Sequence, residues 1–218
     1  ENFITCIETG LFDSLTIPYN LLDRRYAPVI RRAGELGVGV VAMCAVAGGV
    51  LASPSPRVQS LIPGGARTSA AAALEFVLAN PDVSCACSGM NTLEMIEENV
   101  ATVNAFEGLS EADRARMESI LDEFAALGEK FCTGCRYCMD CPNGVDIPRN
   151  FRLFNLARVY GLDGWARERY AAMDPEKRAD ACIECGECEP KCPHGIPIIA
   201  QLKQVTEMLG APSGKTSP

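Results

Sequence analysis

Cys132-Thr133-Gly134-Cys135-Arg136-Tyr137-Cys138-Met139-Asp140-Cys141-Pro142 and Cys182-Ile183-Glu184-Cys185-Gly186-Glu187-Cys188-Glu189-Pro190-Lys191-Cys192-Pro193 set the character of this 218-residue chain. Each stretch packs four thiols into ten or eleven residues, opens C-x2-C-x2-C and closes on Cys-Pro. The first has one residue fewer before its fourth cysteine. Three cysteines at three-residue spacing wrap a tight turn, and the proline after the fourth directs the chain away. Zinc sites usually present separated C-x2-C pairs that converge on one tetrahedral ion, which is a different pattern. Disulfides fit poorly as well. Thiols two residues apart rarely reach bridging geometry, and no signal peptide is legible.

The second run, C-x2-C-x2-C-x3-C-P, resembles the run with which bacterial-type ferredoxins hold [4Fe–4S] clusters. In two-cluster members the fourth thiolate of each cluster comes from the other run. The resemblance therefore implies Cys132, Cys135 and Cys138 with Cys192, and Cys182, Cys185 and Cys188 with Cys141. Cys6, Cys44, Cys85 and Cys87 share no such spacing and are expected to be small buried apolar residues. Cysteine usage of this kind points to a redox protein of a reducing compartment, the cytoplasm.

The length suits one large domain or two small ones, and 48% apolar residues supply a core. A formal net charge of −8 argues against nucleic acid or an anionic membrane as partner. It suits an electron-transfer protein docking on a basic patch of a redox partner. The longest uncharged run, Gly37 to Pro56, holds glycines and prolines and a dense apolar part shorter than the roughly 20 residues of a spanning helix. A buried parallel strand followed by a glycine loop is the reading preferred.

Along the first hundred residues strands alternate with helices. Strands are expected at Leu15–Ile17, Val38–Val46 and Val83–Ser88, with helices at Leu21–Leu36, Thr68–Leu78 and Thr92 to about Phe106. Asn91 and Glu94 are expected as the N-cap pair of the last of these. Alternation of this kind implies a parallel sheet of βαβ units. Ser110 opens a helix with Met117, Ile120, Leu121 and Phe124 on one face, which Gly128 should stop. Between the quartets helical patterning runs from Arg149 to Tyr160 and from Gly164 to Met173, and Ile196 to Leu209 reads as a last helix. Such an insert favours an α-helical ferredoxin form. The segment 210–218 reads as a disordered tail.

The order of segments resembles a family. Phe12–Asp23 (FDSLTIPYNLLD) is similar to the sixth-strand region of aldo/keto reductases, Gly37–Leu51 (GVGVVAMCAVAGGVL) to their seventh strand and glycine loop, and Val83–Asn99 (VSCACSGMNTLEMIEEN) to their eighth strand and following helix. CTGCRYCMDCP followed by CIECGECEPKCP resembles the subset that carries a C-terminal dicluster ferredoxin domain. The resemblance implies a partial TIM barrel, its last three βα units with parallel strands, over 1–108. A linking helix over 109–130 and a mainly α-helical 4Fe-4S dicluster domain over 131–209 follow. The N-terminal part of the barrel is expected to be missing, with Glu1 standing inside a helix-like segment. With it goes the family's Asp/Tyr/Lys/His tetrad, so no catalytic residue is assigned and no carbonyl reduction is expected of this chain alone. The single histidine, His194, is read as an exposed neighbour of a cluster.

The same resemblance implies part of an NAD or NADP site. Gly48, Gly49, Gly89, Met90 and Asn91 fall where the family's loops meet phosphates, and Glu98 and Asn99 match the pair at the adenine end. Thr16 stands where many members have a glutamine, and Gly89 and Met95 where many have basic residues, so the choice between NAD and NADP is open. Read from the residues alone, these glycines equally fit ordinary turns and Glu98 a solvated helix position. Two functions remain in view: an iron–sulfur oxidoreductase exchanging electrons between a partner or small-molecule substrate and a nucleotide site, or an electron carrier with a non-catalytic βα docking domain.

Overall fold

β-Branched and small apolar residues build the first sheet. In a computed structural model, which describes residues 2–129, 132 and 134–210, β1 (Ser14–Pro18), β2 (Gly39–Met43) and β3 (Cys85–Ala86) pair in parallel in chain order. The register sets Ile17 beside Ala42 and Ala42 beside Ala86. Ile17, Val40 and Ala42 are buried, and the residues alternating with them, Thr16, Met43 and Cys85, are exposed. One face of the sheet is thus covered and the other open. The chain divides into two compact units, Glu1–Ile120 and Leu121–Pro218.

Helices cover the closed face of the first unit. After α1 (Asn2–Glu8), α2 (Ala27–Glu35) packs against β2 and buries Val29, Ile30 and Ala33. Gly37, at φ 71°, ends α2 in a Schellman turn: Val38 N–H donates to Ala33 C=O at 2.9 Å. The short α3 (Pro56–Gln59) and then α4 (Ser69–Leu78) follow, the latter against β3. Thr68 caps α4, its hydroxyl accepting from Ala71 N–H at 3.0 Å. α5 (Leu93–Ala105) leaves Leu93, Ile96, Val100 and Val103 exposed, an apolar stripe at helical spacing.

Several expectations are corrected. The helix expected from Leu21 begins at Ala27, because the Asn20 side chain accepts from Leu22 and Asp23 N–H and donates to Cys44 C=O, which fixes 20–23 as a turn. The second strand stops at Met43, since Cys44 takes the left-handed φ of 59°. The third strand shrinks to two residues. Thr92, not Asn91, caps α5, accepting from Met95 N–H at 3.3 Å. α6 (Glu111–Glu129), opened by Ser110, runs through Gly128 rather than stopping there, and the unit boundary falls inside it. Cys6, Cys44, Cys85 and Cys87 are exposed rather than buried, three of them on or just beyond strands whose one face is uncovered.

The second unit has helices and irregular stretches and, among the described residues, no strand. α7 (Ile147–Tyr160), α8 (Asp163–Ala171) and α9 (Ile198–Leu209) enclose a core that includes Val145, Phe151, Phe154, Leu202 and Val205. Two 3₁₀ turns, Pro175–Lys177 and Ala179–Ala181, link α8 to the second cysteine stretch. Asn150 ties this link down by donating to Asp146 C=O and Lys177 C=O, each at 2.8 Å. No helix of the described residues is long and apolar enough to cross a membrane. The expected tail, beyond Gly210, lies outside the described residues.

Candidate functional site

The eight cysteines of the two quartets wall two cavities of the second unit. One is lined by Cys141, Cys182, Cys185 and Cys188, with Asp140, Glu187 and Lys191 at its rim. The other is lined by Cys132, Cys135 and Cys192, with Arg136, His194 and Phe151 beside them. Cys138 and Ile147 line both. Every one of these thiols is free. Among the described residues no three His, Cys, Asp or Glu side chains converge tightly enough for one metal ion. The thiols stand around a space instead of a point.

Local backbone explains the arrangement. Residues before and after the second cysteine of each stretch are left-handed: Gly134 (φ 76°) and Arg136 (φ 68°) in the first, Glu184 (φ 57°) and Gly186 (φ 80°) in the second. These kinks turn successive thiols toward one side. Matching turns follow, with Met139 N–H donating to Arg136 C=O at 2.9 Å and Glu189 N–H to Gly186 C=O at 3.4 Å. The repeat also outlasts the cysteines. Cys141-Pro-Asn-Gly-Val145-Asp-Ile147 parallels Cys192-Pro-His-Gly-Ile196-Pro-Ile198, each closing a Gly-to-Cys turn and then opening a helix, α7 or α9. The sequence carries that longer repeat in CPNGVDI and CPHGIPI, a signal that extends beyond the quartets. Val145, Ile147, Ile196 and Ile198 are all buried, so the repeat supplies the apolar floor as well as the thiols.

Burial shapes the thiol chemistry. It pushes the Cys138 thiol up to about 11 and also raises Cys132 and Cys188 above the ordinary 9.0. Nearby thiolate charge adds to this, from Cys135 and Cys192 at Cys132, and from Cys182 and Cys141 at Cys188, after Glu189. Gly134 N–H donates to Cys132 Sγ at 3.3 Å, which acts in the other direction. Thiols so crowded and enclosed favour a cationic centre that binds them deprotonated. The chemistry of the residues present fits an iron–sulfur group: soft donors, an apolar floor and N–H groups near sulfur.

In the first unit Gly48, Gly49, Gly89, Met90, Asn91, Glu98 and Asn99 line a single cleft of ≈ 1060 Å³. It opens beyond the C-terminal ends of β2 and β3. Gly48 (φ 65°) and Gly49 (φ 90°) need glycine for their left-handed backbone and not for want of space, since an added Cβ at either would meet no atom within 4 Å. Thr68, Ser69 and Ala70, the start of α4, line the same cleft, so a helix N-terminus borders it. Glu98 is half-buried and accepts a hydrogen bond from the Thr68 hydroxyl, so it is no solvated surface carboxylate. Asn99 donates to Ser88 Oγ at 3.2 Å. Cys44 and Cys87 are also in the wall, which nothing in their spacing announced. Thr16 sits on the open face of the sheet, apart from these residues. His194 is exposed in the wall beside Cys192.

Residues 131–196 match the family model described as a 4Fe-4S dicluster domain. Comparison with the curated proteins gives no match. Among solved structures, the chain is similar to an aldo-keto reductase, AKR11C1 from Bacillus halodurans. The holo form matches at 24% identity over 53% of this chain and 46% of that chain, with a TM-score of 0.44. The apo form matches at 23% identity over 54% and 47%, with a TM-score of 0.46. The chain thus spans about half the length of the solved structures it matches.

Proposed function

We propose that this chain is the C-terminal part of an iron–sulfur oxidoreductase of aldo/keto reductase type. It holds two [4Fe–4S] clusters and exchanges electrons with a nicotinamide-nucleotide or substrate site. Cys132, Cys135, Cys138 and Cys192 would hold one cluster, and Cys141, Cys182, Cys185 and Cys188 the other. The observation that carries the reading is the interleaving of the quartets: Cys192 joins Cys132, Cys135 and Cys138 in one cavity, and Cys141 joins Cys182, Cys185 and Cys188 in the other, with Cys138 in the wall between. The match of 131–196 to a 4Fe-4S dicluster domain supports the same chemistry. The clusters supply one-electron transfer, and two of them equal the electron count of one hydride.

The chain's own residues do the holding and shielding. Val145, Ile147, Ile196 and Ile198 exclude water from the floor of the thiol-walled space. In the first unit the cleft residues Gly48, Gly49, Gly89, Met90, Asn91, Glu98 and Asn99 would bind NAD or NADP, with the start of α4 facing its phosphates. The resemblance of Gly37–Leu51 and Val83–Asn99 to the strands and loops of aldo/keto reductases supports this assignment. The remaining barrel strands, the substrate and a redox partner protein would complete the enzyme. The open sheet face and the apolar stripe on α5 support a missing neighbour.

The test is anaerobic reconstitution of the full chain with iron and sulfide. A brown protein with broad absorbance near about 400 nm and about eight irons per chain is expected, together with saturable binding of NADH or NADPH. A colourless chain that takes up zinc alone overturns the cluster assignment. Iron loading without nucleotide binding overturns the nucleotide site and leaves an electron carrier.

A further inference from the structure

The two cavities rest on one repeat, yet they differ in charge. Arg136 lines the cavity of Cys132, Cys135, Cys138 and Cys192. Its counterpart in the second stretch is Gly186, and both take a left-handed φ, 68° and 80°. Asp140, also left-handed at φ 68°, lines the other cavity together with Glu187 and Lys191. Together the three leave one net negative charge on this lining. Glu189 adds negative charge near Cys188. A left-handed arginine or aspartate is strained where glycine would not be, and strain held at a site points to use.

We propose that Arg136 and Asp140 make the two cluster sites unequal in potential, so that the site of Cys132, Cys135, Cys138 and Cys192 takes up the first electron. The inference rests on both cavities holding clusters. Reduction adds one electron, and hence one negative charge, to a site. The guanidinium of Arg136 stabilises that charge, and the carboxylate of Asp140 opposes it at the other site. Burial works in the opposite direction, since Cys138 is the most enclosed of the thiols. The sites differ by two unit charges at their rims but share Cys138 in a common wall, so charge decides the order. Exposure of both rim residues weakens the effect through screening without changing its sign.

The experiment is potentiometric reduction of the reconstituted 218-residue chain, followed by electron paramagnetic resonance and visible bleaching. Two one-electron waves are expected. Arg136→Gln should lower the higher wave alone, Arg136→Lys should restore it, and Asp140→Asn should raise the lower wave alone. Two clusters reduced together, or Arg136→Gln moving the lower wave or neither, overturns the inference while leaving the cluster assignment standing. A chain that takes up no iron overturns both.

Discussion

Cys138 and Ile147 form the wall common to the two thiol-lined cavities. One ends the C-x2-C-x2-C turn and the other opens α7, so a ligand and a core residue meet where the sites adjoin. Both are buried, at 8% and 1% exposure. A change at this wall acts on both sites together.

Ile147→Ala removes that wall and leaves a void. The cost is about 2–5 kcal/mol of stability, read from urea unfolding of the loaded chain under argon. Both clusters should bleach faster in air than in the parent. Leu202→Ala, which opens the wall of one cavity only, should hasten the loss of one.

Paired cysteine replacements test the interleaving. Cys132→Ala with Cys192→Ala damages one site and should leave about four irons per chain. Cys132→Ala with Cys141→Ala damages both and should leave almost none. Equal iron contents in the two double variants would contradict the crossed grouping.

Thr68→Ala deletes the cap of α4 and frees Glu98 from its hydrogen bond. A loss of about 1 kcal/mol is expected from the cap alone, measured as a lower thermal midpoint. Calorimetry should show weaker NADH or NADPH binding, since the start of α4 frays beside the cleft. Thr68→Ser, which keeps the accepting oxygen, should restore both.

Burial raises the Glu75 carboxyl above its ordinary 4.5, and Arg67 only partly offsets this. The folded state then binds the Glu75 proton more tightly than the unfolded chain does. Stability from this group is full below the ordinary value and is lost as pH climbs through the raised one. Glu75→Gln should therefore raise the thermal midpoint near pH ~7 and leave it unchanged near pH ~3. A gain of equal size at both pH values would mean that the charge is not the cause.

Local chemistry was legible in the chain. The helices at 147–160, 163–171 and 198–209 follow apolar periodicity with polar or proline starts, and their bounds lie within a few residues of those expected from the sequence. The turn at 20–26 was not legible, because the apolar pattern of Leu21 and Leu22 suits a helix equally well. What ends that option is Asn20, whose side chain donates to Cys44 C=O across 24 positions of sequence. The exposure of Cys44, Cys85 and Cys87 was hidden for a related reason. Burial of a strand residue depends on which face of the sheet is covered, and three strands leave one face open.

By itself the sequence determined the thiol sets, because three cysteines at three-residue spacing make a turn whatever surrounds them. It also determined that parallel strands precede a helical, cysteine-rich unit. The ferredoxin resemblance implied the crossed grouping, but only tertiary structure brings Cys192 to the cavity of the first stretch and Cys141 to that of the second. Forty residues separate the quartets, and their closure depends on α7, α8 and α9 burying Phe151, Phe154, Leu202 and Val205 against one another. It also decided which charged residues line which cavity. Spacing is a local property of the backbone, whereas the meeting of distant segments is set by the apolar surface they remove from water together.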